Sequence, residues 1–127
     1  MSTSEIATVL AWHDALNSGD LDTLVSLSSD DVEIGDAHGA AQGHAALRQW
    51  ARGFSDEAAD GAIEVGRIYY RDGVVVVEEM LTSSGGEVRS AASAFRVVHD
   101  HVTAVFRHDD LTAALSATEL TDDDLQV

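Results

Sequence analysis

Residues 28–54, SSDDVEIGDAHGAAQGHAALRQWARGF, decide how this chain folds. They begin with an alternating run over residues 31–36, in which Val32 and Ile34 fall on one side and Glu33 on the other, the period of a half-buried strand. A Gly- and Ala-rich loop over residues 37–43 follows. A helix then runs from His44 to about residue 54, with Leu47, Trp50, Ala51 and Phe54 on one face and Arg48, Gln49 and Arg52 largely on the other. Asp36 therefore stands at the exit of a short strand, where its carboxylate faces whatever lies between that strand and the next helix.

Upstream, residues 2–18 read as a helix. Ser2 and Glu5 have the spacing of a capping box, and Ile6, Val9, Leu10, His13 and Leu16 form a stripe with Trp12 beside it. Gly19 supplies a stop, and Asp20 caps a second short helix over residues 21–27. Downstream the pattern turns to strands: residues 62–71, a turn at Asp72-Gly73, residues 74–83, a turn at Ser84-Gly85-Gly86, residues 87–99, a turn at Asp100-His101, and residues 102–109. A last short helix covers residues 111–117. Helices followed by a four-strand meander plus one short strand describe an α+β domain with a curved antiparallel sheet. The domain is expected over residues 1–120, with residues 121–127 as an acidic, disordered tail. In the run Val74, Val75, Val76, Val77 nothing alternates, so both faces of that strand should be covered, one by the helices and the other by a second copy of the chain. A homodimer through the sheet is the resulting expectation.

Composition narrows the function. A chain of 127 residues, 45% of them hydrophobic, can bury a core unaided. It has no Cys, which removes disulfides and thiolate chemistry. Its start lacks the pattern of a secretory signal, and no apolar run approaches the roughly 20 residues of a membrane span, so a cytoplasmic protein without membrane contact is expected. With 23 acidic residues, seven Arg and a formal charge of −16, the surface repels phosphate backbones and disfavours nucleic acid as a partner. Adaptation to a salt-rich cytoplasm and a GC-rich genome that writes Arg in place of Lys account equally well for that charge.

The segments LNSGDLDTL, SSDDVEIGDAHG, GHAALRQW and AFRVVHDHVTAVFRHDDL, in this order, resemble the SnoaL-like and ketosteroid-isomerase-like branch of the NTF2-like superfamily over residues 5–116. The resemblance implies a cone, with a curved sheet wrapped around helices, an apolar pocket at its wide end, and usually a homodimer. It places Asp36, by the spacing of Asp30, Asp31 and Asp36, on the general base of ketosteroid isomerases. It sets Trp12 and Ser93 on the two oxyanion donors, where the family has Tyr and Asp. In SnoaL-type cyclases the acid/base lies at the end of the last strand, which is the place of His108, Asp109 and Asp110 here. The Arg of the family's epoxide hydrolases finds no clear counterpart in Arg89 or Arg96.

Each candidate also has a structural reading. Asp36 either faces the pocket, where apolar walls such as Trp50 and Phe95 would favour it as a base, or caps its own loop. His38 lines the same mouth or is exposed on the loop. His108 and Asp110 share a strand face and could form a proton shuttle, or Asp110 caps the last helix while His108 packs at the strand end. Of Glu78 and Glu79 one must face inward, where pairing with Arg96 or Arg67 would be structural. His13 and His44 read as surface or helix-packing residues. His99 and His101 lack a third ligand, so no metal is expected. No phosphate loop or nucleophile elbow is present, and no cofactor is expected. The catalytic candidates are thus Asp36, His108 and Asp110. The ligand-binding candidates are Trp12, His38, Trp50, Tyr69, Met80, Ser93 and Phe95. They suit proton transfer on a small hydrophobic, carbonyl-bearing metabolite by an isomerase, cyclase or lyase without a cofactor, or alternatively a module that binds a ligand or protein without turnover.

Overall fold

A computed structural model describes residues 2–36, 39–58, 63–82 and 86–126, with residues 2–3 and 53–58 described by their backbone alone. The elements run α1 (Ser2–Ser18), α2 (Leu21–Ser26), β1 (Ser28–Asp36), β2 (Gly39–Gln42), α3 (His44–Ala58), β3 (Ile63–Arg71), β4 (Val74–Thr82), β5 (Val88–Val98), β6 (His101–His108) and α4 (Leu111–Thr118), followed by a single 3-10 turn at Asp122–Asp124. The boundaries follow local chemistry. Gly19, at φ 73°, ends α1, and the Asp20 carboxylate then accepts from Thr23 N to open α2. Asp72 and Gly73, with φ of 52° and 82°, make the tight β3–β4 turn, and His99 and Asp100, at 50° and 64°, do the same one residue earlier than expected between β5 and β6.

The sheet has six strands in the order β2-β1-β6-β5-β4-β3. Four of them form the expected antiparallel meander. The sheet is nevertheless mixed, because β1 pairs parallel to β6, with Ile34 opposite Val105 and Gly35 opposite Phe106. Residues 39–42, expected as loop, form a hairpin strand against β1. That strand, Gly-Ala-Ala-Gln, is exposed along its whole length, so it carries no buried side and no period to read.

The inner face of the curved sheet packs on α1, α2 and α3. Val9, Trp12, Leu16, Leu24 and Leu47 from the helices meet Val32, Ile34, Val75, Val77, Phe95 and Val105 from the sheet in one core. A register shift between Val65 and Ile68 turns β3 over partway along. Tyr69 consequently points away from that core, into a second cluster with Val76, Ala92, Ala114 and Leu120. This second cluster corrects the assembly argument. Val76 is completely buried, but its cover is α4 of the same chain, so the unalternating valines do not call for a second copy.

The end of the chain also differs from expectation. Leu125 bridges to Tyr69, Gln126 N donates to Ile68 O at 2.7 Å, and Arg71 bonds to the Glu119 carbonyl. Arg71 also lies 3.8 Å from the Asp124 carboxylate. Residues 121–126 are therefore a docked turn along β3. The three Asp residues disguise it, since it is held by the backbone and one Arg with little apolar burial. No described helix is long and apolar enough to cross a membrane.

Candidate functional site

The site is built where β4, β5 and β6 pass beneath α1. On β4 the inner parity is Val75, Val77, Glu79, so the strand drives a carboxylate into the core two residues beyond a buried valine. Glu79 is 1% exposed. A lone carboxylate there would cost several kcal/mol in lost hydration, and three neighbours answer it. His13 Nε2 lies 2.6 Å from Oε2, Ser93 Oγ donates to Oε1 at 2.7 Å, and an Arg107 terminal nitrogen donates to the same oxygen at 3.3 Å.

The bonding pattern constrains the proton. His13 Nδ1 sits 2.9 Å from the Val9 carbonyl, which can only accept, so Nδ1 carries a hydrogen. Nε2 and Glu79 Oε2 then hold one further proton between them. Burial by itself would push the Glu79 carboxyl up. The hydrogen bond from His13 and its charge, with Arg107 and Ser93 adding to them, outweigh burial and hold the carboxyl below the ordinary Glu value. The pair is thus a buried, charge-assisted contact.

Aromatic rings close around it. Trp12 meets Phe95 edge-on at 5.3 Å between centroids and stands 5.8 Å from Trp50, while the Arg107 guanidinium lies 5.9 Å above the Trp50 ring. Arg107 is the member of the group nearest solvent, with 23% of its side chain exposed. The guanidinium thus spans from buried Glu79 to the open end of the inner face.

The sequence candidates fall into three groups. Trp12, Trp50, Ser93 and Phe95 are brought together on the inner side, as just described. The two that the family resemblance sets on oxyanion donors are already spent, however. The Trp12 indole N–H donates to Ser28 Oγ at 3.1 Å, whose own hydroxyl donates to the Leu24 carbonyl, and the Ser93 hydroxyl donates to Glu79. Tyr69 and Met80 are not part of this group. Tyr69 is buried beneath α4, and Met80 has the outward parity of Val74 and Val76, because side chains alternate and the shift in β3 reverses Tyr69.

The catalytic candidates are spread along one end of the sheet. Asp36 is exposed at the end of β1, on the inner parity of Val32 and Ile34. Since Gly35 pairs with Phe106, one further step in register sets Asp36 beside Arg107. Gly35 is what lets the strands come so close, as a Cβ there would lie 2.7 Å from the Phe106 ring. His108 is half-buried at the end of β6. Asp110 caps α4, accepting from Ala113 N at 2.8 Å, which takes up the carboxylate that was to orient His108. His38 and Phe54 lie outside the described residues and side chains.

Sequence reading missed His13 and Arg107 and anticipated Glu79 only as one of two consecutive acids. Glu78 is the one beside Arg67, at 3.7 Å. The available signals were the parity of Glu79 with Val75 and Val77 and the place of His13 within the apolar stripe of α1. No local pattern pairs residues 66 positions apart. Among the described residues no three His, Asp or Glu side chains are grouped to hold a metal ion.

The profile of the SnoaL-like domain matches residues 9–113. The chain belongs to the SnoaL-like family. Solved structures agree on the fold. A candidate polyketide cyclase from Sinorhizobium meliloti shares 16% identity at a TM-score of 0.74, over 80% of this chain and 94% of its own. TerC, co-crystallised with polyporic acid, shares 17% at 0.73, over 91% and 98%. A cystatin-fold protein from Novosphingobium aromaticivorans shares 20% at 0.70, over 81% and 96%. No curated protein matches the sequence. In this chain helices and a curved, unclosed mixed sheet enclose Glu79 and its partners.

Proposed function

We propose that this SnoaL-like protein catalyses cofactor-independent proton transfer on a small hydrophobic, carbonyl-bearing metabolite, as an isomerase, cyclase or lyase does. The observation that carries this reading is the station of Arg107, held by buried Glu79 at one side and beside exposed Asp36 at the other, one register step beyond the Gly35–Phe106 pair. Asp36 would take a proton from the carbon next to the carbonyl, and the developing oxyanion would form against the Arg107 guanidinium. Glu79 and His13 act on Arg107 by fixing its place. Protonated Asp36 would then return the proton to a second carbon or to a leaving group, since His108 has the outer parity of its partner Ala92. Among the fold neighbours, a candidate polyketide cyclase supports small-molecule chemistry of this kind, and TerC with polyporic acid supports a pocket that admits an organic ligand.

The test is exchange of carbon-bound hydrogen in D2O, followed by NMR on a panel of cyclic and aromatic ketones. Asp36→Asn is expected to slow protein-dependent exchange by about 100-fold or more, the usual contribution of a positioned base. Unchanged exchange in that variant removes Asp36 from the mechanism.

The second reading is a binding module. It is favoured by the commitment of the Trp12 and Ser93 hydrogens to internal acceptors, which leaves Arg107 to stabilise an oxyanion without them. Ligand binding with no exchange across the panel would select it.

A further inference from the structure

Beyond Glu79, the inner side of β5 and β6 opens into a cavity of about 200 Å³. That is smaller than the roughly 300 Å³ at which pockets for whole drug-sized ligands begin, so it suits one functional group of a larger molecule. Its walls include Arg89, Ser90, Arg107, His108 and Asp109, with Leu81 as an apolar wall. In a chain with seven cationic side chains against 23 acidic ones, two of the seven converge on this one recess. Among the described residues Arg89 forms no ion pair, whereas Arg48, Arg67 and Arg71 each do.

We propose that this cavity is a subsite for the carboxylate of a small organic acid, clamped between Arg89 and Arg107, which share the inner parity of Leu81 and Ser93. Guanidinium groups present paired N–H donors that match a carboxylate's two oxygens. The net acidity of the chain adds discrimination, since it disfavours anions over most of the surface. Asp109, the one acid on the wall, disfavours dianions and so selects a single carboxylate. The inference rests on the proposed reading in one respect: it takes the end of the inner face where Arg107 lies as the ligand's entrance. It then narrows the substrate class to carbonyl compounds that also carry a carboxylate.

The probes are benzoate and its neutral counterpart benzamide, titrated into the full chain and followed by amide NMR shifts. Benzoate is expected to shift residues 89–91 and 107–109 and to bind at least about tenfold more tightly than benzamide, the scale of one charge-assisted hydrogen bond. Arg89→Gln, an exposed change that leaves the buried cluster intact, is expected to erase most of that difference. Equal affinity for the two probes, shifts confined to other residues, or full benzoate affinity in Arg89→Gln would each overturn the subsite. Asp36→Asn separates this inference from the reaction. Benzoate binding kept in that variant, with exchange also unchanged, would sink the reaction and retain the subsite. Exchange lost in Asp36→Asn with no benzoate preference in the parent would do the reverse.

Discussion

On one face of β4, Val76 is sealed under α4 with Ala92, Ala114 and Leu120; on the other, two residues beyond Val77, Glu79 is buried as fully beneath α1. The outer face is an ordinary apolar contact, indifferent to protonation and forgiving of shape. The inner face sets His13, Glu79 and Ser93, all nearly inaccessible, into an otherwise aromatic and aliphatic core. A stability argument alone does not favour such a pair, because hydrophobic residues of similar volume usually serve as well or better. What the pair achieves is placement: it fixes a guanidinium at the boundary between core and solvent. The two faces therefore answer differently to the same kind of damage.

Truncation gives the largest contrast. His13→Ala removes the partner of a buried carboxylate and is expected to cost about 3–5 kcal/mol. Val76→Ala removes two buried methyl groups from the outer cluster and is expected to cost about 2 kcal/mol. Urea unfolding of both variants measures the difference, and it should narrow as pH falls through the ordinary carboxyl range, where Glu79 in His13→Ala, deprived of the partner that holds its carboxyl low, takes up a proton. Equal losses with no pH dependence would mean that His13 contributes by packing alone.

Acid titration of the parent protein sharpens the same point. The Glu79 carboxyl is held below its ordinary value in the folded chain. At pH values above the unfolded Glu value, about 4.3, both states are ionised and the contribution is fully present. As pH falls below that value the unfolded chain binds the proton first, and stability drains away until the lowered folded value is passed. Glu79→Gln is therefore expected to unfold with a shallower dependence on pH below about 4.3 than the parent. Denaturant midpoints measured from pH 6 down to pH 3 check this, and parallel curves would place the acid sensitivity elsewhere among the 23 acidic residues.

Most of the fold could be read because its signals are local. The stripe of α1, the Asp20 and Asp110 caps, and the Asp72-Gly73 turn each lie within a few residues of what they determine. The parallel β1–β6 pairing and the exposed β2 strand escaped, since neither leaves a period in the chain. The site was half legible for the same reason. Parity alone pointed one of Glu78 and Glu79 inward, and the four ring-bearing or hydroxyl residues Trp12, Trp50, Ser93 and Phe95 do gather. But His13 looks like any other residue of an apolar stripe, and Tyr69 was turned over by a register shift that no local pattern announces.

The smallest effect tests how far the apolar cover of the outer face extends. Leu125 is 45% exposed and its backbone bridges to Tyr69, so its side chain buries only part of its area. Leu125→Ala is expected to cost about 0.5–1 kcal/mol, a fraction of full burial. The backbone bond from Gln126 to Ile68 does not depend on that side chain. Hydrogen exchange can separate the two contributions: the Gln126 amide should remain slower than an unprotected amide in Leu125→Ala while the global stability falls by the stated amount. Protection lost at Gln126 together with an unchanged midpoint would mean that the turn is held by Leu125 but adds nothing to the fold, leaving α4 as the whole cover of that face.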